Sequence, residues 1–217
     1  KRDEIVYKFI AIEHQGESYA NKEDLIKLKK RDELTKLLKE RLKNDFIQIN
    51  GSLGVSNPNR LDTGNTEFNI GNDTGIIVFC PHRTGMLGVS TKASQKKGTE
   101  VLGTFEHIAS TSRNDGIIKP GYYRGGTESD DKDKGMEGFQ RLYKENKINL
   151  MVATKAFGMG FNKPNIRFSV HLNYPGSLEG FAQETGRIGR DRKLALAYLM
   201  YSELDIGVPK YLHDKNY

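Results

Sequence analysis

The sequence predicts an α/β fold: a mainly parallel sheet flanked by helices on both faces. Two observations point there. From Gly75 onward, short apolar runs alternate with amphipathic stretches, and strands separated by helices imply crossover connections. The chain has 217 residues, 36% of them hydrophobic, with ten Phe and ten Tyr. That is enough to fill one core.

Taken in order, Glu4–Ile12 is expected to be a strand, with Ile5, Phe9 and Ile12 among polar positions. Lys22–Lys43 is expected to be helical, because Leu34, Leu38 and Leu42 repeat every four residues and Leu37 widens the stripe. Its Lys, Arg and Glu residues form a solvated face. Asn44–Asp73 is rich in Asn and Gly and contains Pro58, which suggests an irregular, exposed insertion with a short strand at Phe46–Ile49. The remaining strands are expected at Ile76–Cys80, Ile117–Tyr123, Ile148–Thr154, Arg167–Leu172 and Ala195–Tyr201. Helices are clearest at Asp130–Glu145 and Ser177–Thr185. Ligands of such sheets bind beyond the carboxyl ends of the strands.

The net charge of +6 and pI near 9.2 permit contact with phosphate backbones, as they would in many basic proteins that bind no nucleic acid. A mean hydropathy of −0.64 fits a soluble protein. No apolar run is long enough to cross a bilayer, and Lys1–Glu4 does not open a signal peptide. The single cysteine, Cys80, excludes an internal disulfide or a Cys-rich zinc site and suits a reducing compartment, cytoplasmic or nucleoid/nuclear. The histidines show no metal spacing, and His171 is expected to be structural. Tyr122 and Tyr123 are expected to pack rather than stack on bases.

Two stretches carry chemistry. In Ser177–Arg192 (SLEGFAQETGRIGRDR), Ser177 is a candidate N-cap. Gln183, Arg187 and Arg190 stand at i, i+4 and i+7, so a continued helix would put them on one face. Gly186 and Gly189 remove bulk beside the first arginine. Paired arginines suit the oxygens of a phosphate, and equally suit surface carboxylates. In Met151–Ile166 (MVATKAFGMGFNKPNI), Thr154 ends a strand, Gly158 and Gly160 permit close approach, and Asn162 and Lys163 precede Pro164. Alone, this is also an ordinary strand-to-helix loop.

Together these stretches resemble motifs V and VI of superfamily-2 helicases, closest to the RecQ family. ATKAFGMGFNKPNIRFSVH is similar to that family's motif V, and SLEGFAQETGRIGRD to its motif VI, with Ile188 in place of a small residue. Gly75–Arg83 resembles motif IV, and Gly121–Thr127 its "YHAGL" turn with Arg124 replacing His. The resemblance covers roughly Gly75–Asp205 and is dense from Asn149 to Asp191.

It implies a RecA-like second lobe over residues 75–206, with residues 1–74 belonging to the same lobe and 207–217 a tail. Such a lobe closes on a first, ATP-holding lobe while both grip a nucleic-acid strand. Carried over by position, Arg190 would be the arginine finger and Arg187 a second phosphate contact. Gln183 would couple closure to nucleotide state, and Gly160 and Asn162 would lie near the nucleotide. Thr154, Arg83, Gly126 and Lys155 would meet the strand backbone. ATP and Mg2+ would be held mainly by the first lobe. The expected partners are that first lobe and DNA, as a single strand or fork, with RNA an alternative polymer and no membrane.

The chain departs from the family at Arg192, where a small residue is usual, and at Lys155, where an apolar one is. The helix expected after motif IV falls in Met86–Asn114, a polar and poorly matched stretch. No GxxxxGK[ST] loop and no DExH/D continuation occur. The polypeptide is therefore expected to be part of a larger motor and not to hydrolyse ATP by itself. A non-catalytic nucleic-acid-binding module that kept the fold is the alternative from a different class.

Overall fold

The computed structural model describes residues 2–13, 19–63, 68–71, 74–92, 100–114, 116–124, 133–157 and 161–205. In chain order the elements begin with β1 (Ile5–Ala11), α1 (Tyr19–Lys36), a π-helical turn (Leu37–Arg41) and α2 (Leu42–Ser52). They continue with β2 (Gly75–Phe79), β3 (His82–Thr84), β4 (Gly88–Ser90), α3 (Thr104–Thr111) and β5 (Pro120–Tyr123). The last are α4 (Asp133–Lys144), β6 (Leu150–Ala153), β7 (Ile166–His171), α5 (Leu178–Thr185) and β8 (Ala195–Tyr201).

Six strands form one sheet in the order β1-β8-β7-β2-β6-β5, and every pairing in it is parallel. Alternation along the strands feeds two cores. Ile76, Val78, Leu150, Val152, Phe168, Val170, Leu196 and Tyr198 face the leucine stripe of the first helices and Ile108 of α3. Ile77, Phe79, Met151, Ala153, Ala195 and Ala197 face the other way, with Tyr143 of α4, Phe157 and Ile188. Because both faces are covered, β2, β6 and β7 are buried at every position. β2 and β6 are apolar throughout, which is the pattern expected for central parallel strands, whereas β7 buries Arg167, Ser169 and His171 between its apolar residues.

The leucine stripe explains the π-turn. Leu34, Leu38, Leu42, Phe46 and Asn50 recur every four residues and all are buried. In an ideal α-helix a four-residue step overshoots one turn by about 40°, so the stripe would rotate off the sheet. The Leu42 N–H reaches back five residues to Leu37 O. That wider turn absorbs the drift and keeps the stripe facing inward.

Phe46–Ile49, expected as a short strand, is therefore part of α2. The density of Asn and Gly suggested irregular chain, but the four-residue period continues through Asn50 and decides the matter. The irregular stretch beyond it is tied down. The Asn50 side chain accepts from Leu61 N–H at 2.8 Å and donates to Leu61 O at 3.0 Å, and Leu194 N–H donates to Asn59 O at 2.7 Å. The polar stretch after β2 holds the β3–β4 pair and then α3, which is the helix expected within Met86–Asn114.

Candidate nucleic-acid and nucleotide interface

Because the six strands of the main sheet run parallel, their carboxyl ends lie along one edge. There, β2, β5, β6 and β7 open onto a groove of about 640 Å³. Of the residues expected to touch a strand backbone, Arg83, Thr154 and Lys155 all line it. Gly126 lies outside the described residues. Arg124, which follows β5, also lines the groove, with Nη1 donating to Ser90 Oγ at 3.2 Å. Thr154 is pinned by its backbone: its N–H donates to Tyr123 O at 3.3 Å, and its carbonyl accepts from Phe157 N–H at 3.0 Å.

The one acid lining the groove among the described residues is Glu184, and it is engaged by His171, with Oε2 2.9 Å from Nδ1. Burial pushes the His171 pKa down, and Glu184 opposes this only in part. The neutral imidazole therefore donates from Nδ1 to Glu184 and accepts from Ser169 Oγ at Nε2, 3.2 Å away. The ring stacks on Phe79 and meets the edge of Phe181, both at 4.9 Å. His171 is thus a packed, structural histidine. Tyr122 packs on Phe105 and Phe139, and Tyr123 on Phe157.

Beyond the groove, α5 starts as expected, with Ser177 Oγ accepting from Gly180 N–H at 3.0 Å. It does not continue far enough to align Gln183, Arg187 and Arg190 on one helical face. The helix ends at Thr185, Gly186 caps it, and Gly189 turns the chain with φ +60. The two glycines do different work. Gly186 keeps ordinary helical dihedrals. Gly189 needs the left-handed region, and a Cβ there would also sit 3.1 Å from Lys193 O and 3.2 Å from Ala195 Cβ.

The arginines are therefore presented by a turn. Arg190 is exposed and donates to Phe161 O at 2.9 Å and Asn162 Oδ1 at 3.3 Å, so it meets the expected nucleotide-side residue of the 161–165 loop. Arg187 is half-buried, its Nε has no hydrogen-bond partner, and burial and then the charge of Arg190 lower its pKa. Among the described residues neither arginine forms an ion pair with a carboxylate, whereas Arg2, Arg41 and Arg167 do. The surface ion-pair reading of these arginines thus has no counterpart. Gln183 remains on α5, exposed, donating to Glu179 Oε1 at 3.4 Å. Gly160 lies outside the described residues.

Two further guanidiniums hold the turn, and neither was singled out by the sequence motifs. Arg167, 3% exposed, pairs with Asp191 and donates from Nη1 to the carbonyls of Lys193 and Leu194, both at 3.1 Å. Arg2 pairs with Glu4 and donates to carbonyls of the turn itself. A buried strand arginine is an unusual feature, so Arg167 was legible in principle. Arg2 had no such signal. Among the described residues no cluster of His, Cys, Asp and Glu could hold a metal ion. The donors at the turn, two guanidiniums and an amide, suit an anion.

The model of the helicase conserved C-terminal domain matches residues 59–192, which spans both the groove and the arginine turn. The chain belongs to that family. It is a superfamily-2 helicase C-terminal domain related to the RecQ DNA helicases. The ATP-dependent DNA helicase RecQ of Pasteurella multocida is 43% identical over 100 residues, covering 46% of this lobe and 15% of that protein. A relative from Acanthamoeba polyphaga mimivirus, named for ATP-dependent RNA helicase activity, is 38% identical over 141 residues, covering 65% of the lobe and 23% of that protein. The solved helicase MrfA bound to DNA superposes with a TM-score of 0.53 at 19% identity, covering 96% of this lobe and 22% of that chain. At that identity the likeness concerns the RecA-like fold. The matches thus extend over only a small part of the relatives' lengths.

Proposed function

We propose that this chain is the second motor lobe of an ATP-dependent DNA helicase of RecQ type, moving 3′ to 5′ on a single strand or fork. In this role it supplies an arginine finger and strand-backbone contacts. The observation that carries the reading is the arginine turn: among the described residues Arg187 and Arg190 have no carboxylate ion-pair partner, and Arg190 bonds to Asn162. ATP, with its magnesium, would be held mainly by a first RecA-like lobe. Closure would bring Arg190 to the γ-phosphate as charge develops there, and such a finger is worth about 10³–10⁵ in rate. Arg83, Arg124, Lys155 and Thr154 would hold strand phosphates in the groove, so the strand would be gripped by its backbone rather than its bases.

In the full-length protein, Arg190→Ala is expected to abolish nucleic-acid-stimulated ATP hydrolysis while largely sparing ATP binding, because the contact is made in the transition state. Arg190→Lys should not rescue it, since an ammonium lacks the planar fork. Near-normal turnover in a folded Arg190→Ala protein would exclude the finger. The second reading is an RNA helicase lobe, favoured by the name of the viral relative. Phosphate contacts barely distinguish the polymers, so unwinding of matched DNA and RNA duplexes separates the two.

A further inference from the structure

We infer that Arg2 is the positioning residue for the arginine turn. Its guanidinium grips three carbonyls of that turn and so sets where Arg187 and Arg190 point. This rests on the reading of Arg190 as a phosphate-contacting group.

The geometry is specific. Arg2 Nη1 donates to Gly186 O at 3.3 Å, and Nη2 donates to Ile188 O at 2.7 Å and Gly189 O at 3.2 Å. Nε is engaged by the carboxylate of Glu4, which is 2% exposed. Glu4 thereby fixes the plane of the guanidinium, and the rest of the fork faces the turn. The turn needs an outside hold because glycines at 186 and 189 leave its backbone free to adopt many conformations. Its other anchors are the Gly189 N–H, which donates to Ile166 O at 2.9 Å, and Asp191, which pairs with Arg167. Ile188, fully buried, packs into the core between the two arginines. The Gly186 and Gly189 carbonyls belong to the peptide planes that lead into Arg187 and Arg190, the Ile188 carbonyl to the plane between the two arginines, and peptide planes determine where the side chains start. Removing the Arg2 fork leaves the residues that meet phosphate intact but frees the segment carrying them.

A single ammonium cannot serve acceptors spread over three residues plus a carboxylate. The test therefore uses Arg2→Lys, which keeps the charge beside Glu4. It is paired with Arg2→Met/Glu4→Gln, which removes the ion pair without stranding a buried carboxylate. The measurement is kcat and KM for ATP in the full-length protein with saturating single-stranded DNA, beside the melting temperature.

Misplaced catalytic groups cost rate steeply, so both variants should lose about tenfold or more in kcat, with KM changed by less than about twofold. Read on the residual single-turnover rate of Arg190→Ala, adding Arg2→Lys should cause a smaller loss than it does in the wild-type background, because part of its effect acts through Arg190. Wild-type kcat in both Arg2 variants, with Arg190→Ala impaired, overturns the clamp alone. A loss that persists undiminished on the Arg190→Ala background also overturns it, since Arg2 would then act elsewhere. Normal turnover in Arg190→Ala itself overturns the arginine-finger reading beneath it.

Discussion

At the residue scale, the arginine turn contains a side chain at odds with its backbone. Arg192 has φ +63, a region that costs a non-glycine L-residue about 1–2 kcal/mol. Its N–H donates to Gly189 O at 2.9 Å, and that bond holds the conformation. Arg192→Gly should stabilise the lobe by about 0.5–1 kcal/mol, after allowing for the greater entropy glycine loses on folding. A urea midpoint that falls would show that the arginine side chain contributes more than its backbone costs. The family resemblance marked this residue as unusual, because a small residue is usual there, and the left-handed dihedral supplies a physical reason. Arg83, Thr154 and Lys155, which line the groove, were legible through the motif resemblance, and Thr154 also through its place at a strand's carboxyl end. Arg2 was not legible, since nothing local indicates which carbonyls it will meet 184 residues further along the chain.

At the element scale, strands were easier to find than the helices' ends. The central strands β2 and β6 announce themselves as unbroken apolar runs, and β8 falls at Ala195–Tyr201 as expected. Helix limits depend on competing local terms. At α5 the helix stops at Thr185, where it was expected to, and what the period could not supply is the turn from Gly186 to the left-handed Gly189 that carries the arginines. At α2, Asn and Gly suggested a break, and a buried stripe carried the helix on. Phe46 tests that stripe. It is fully buried, stacks on Phe68 at 4.1 Å and meets Phe168 at 5.7 Å. Phe46→Ala should cost about 3–5 kcal/mol in chemical denaturation. A loss within about 0.5 kcal/mol, as for an exposed insertion, would contradict its place in the core.

At the scale of the whole molecule, charge and topology agree. The groove gathers Arg83, Arg124 and Lys155 at the strand ends, on a chain whose net charge is +6. The isolated chain should bind single-stranded nucleic acid weakly. If each of these cations meets one phosphate, log K should fall with log salt at a slope of about −2, from roughly 0.7 per contact. Salt-indifferent binding would argue against a backbone-tracking groove. The same preparation should show no ATPase above background, because its sequence contains no GxxxxGK[ST] phosphate loop. Turnover by the chain alone would contradict the division of labour between two lobes.

Cys80 gives this lobe a practical property. It is the chain's single cysteine, lies at the groove but only 5% exposed, and burial pushes its thiol up to about 12. Only the thiolate attacks disulfide or maleimide reagents, so the native chain should be chemically silent toward them. Ellman's reagent should titrate almost no thiol under native conditions and one after denaturation. Cysteines introduced into this chain on the groove rim or the arginine turn could then carry fluorophores without background labelling from Cys80, and report on the groove when nucleic acid binds.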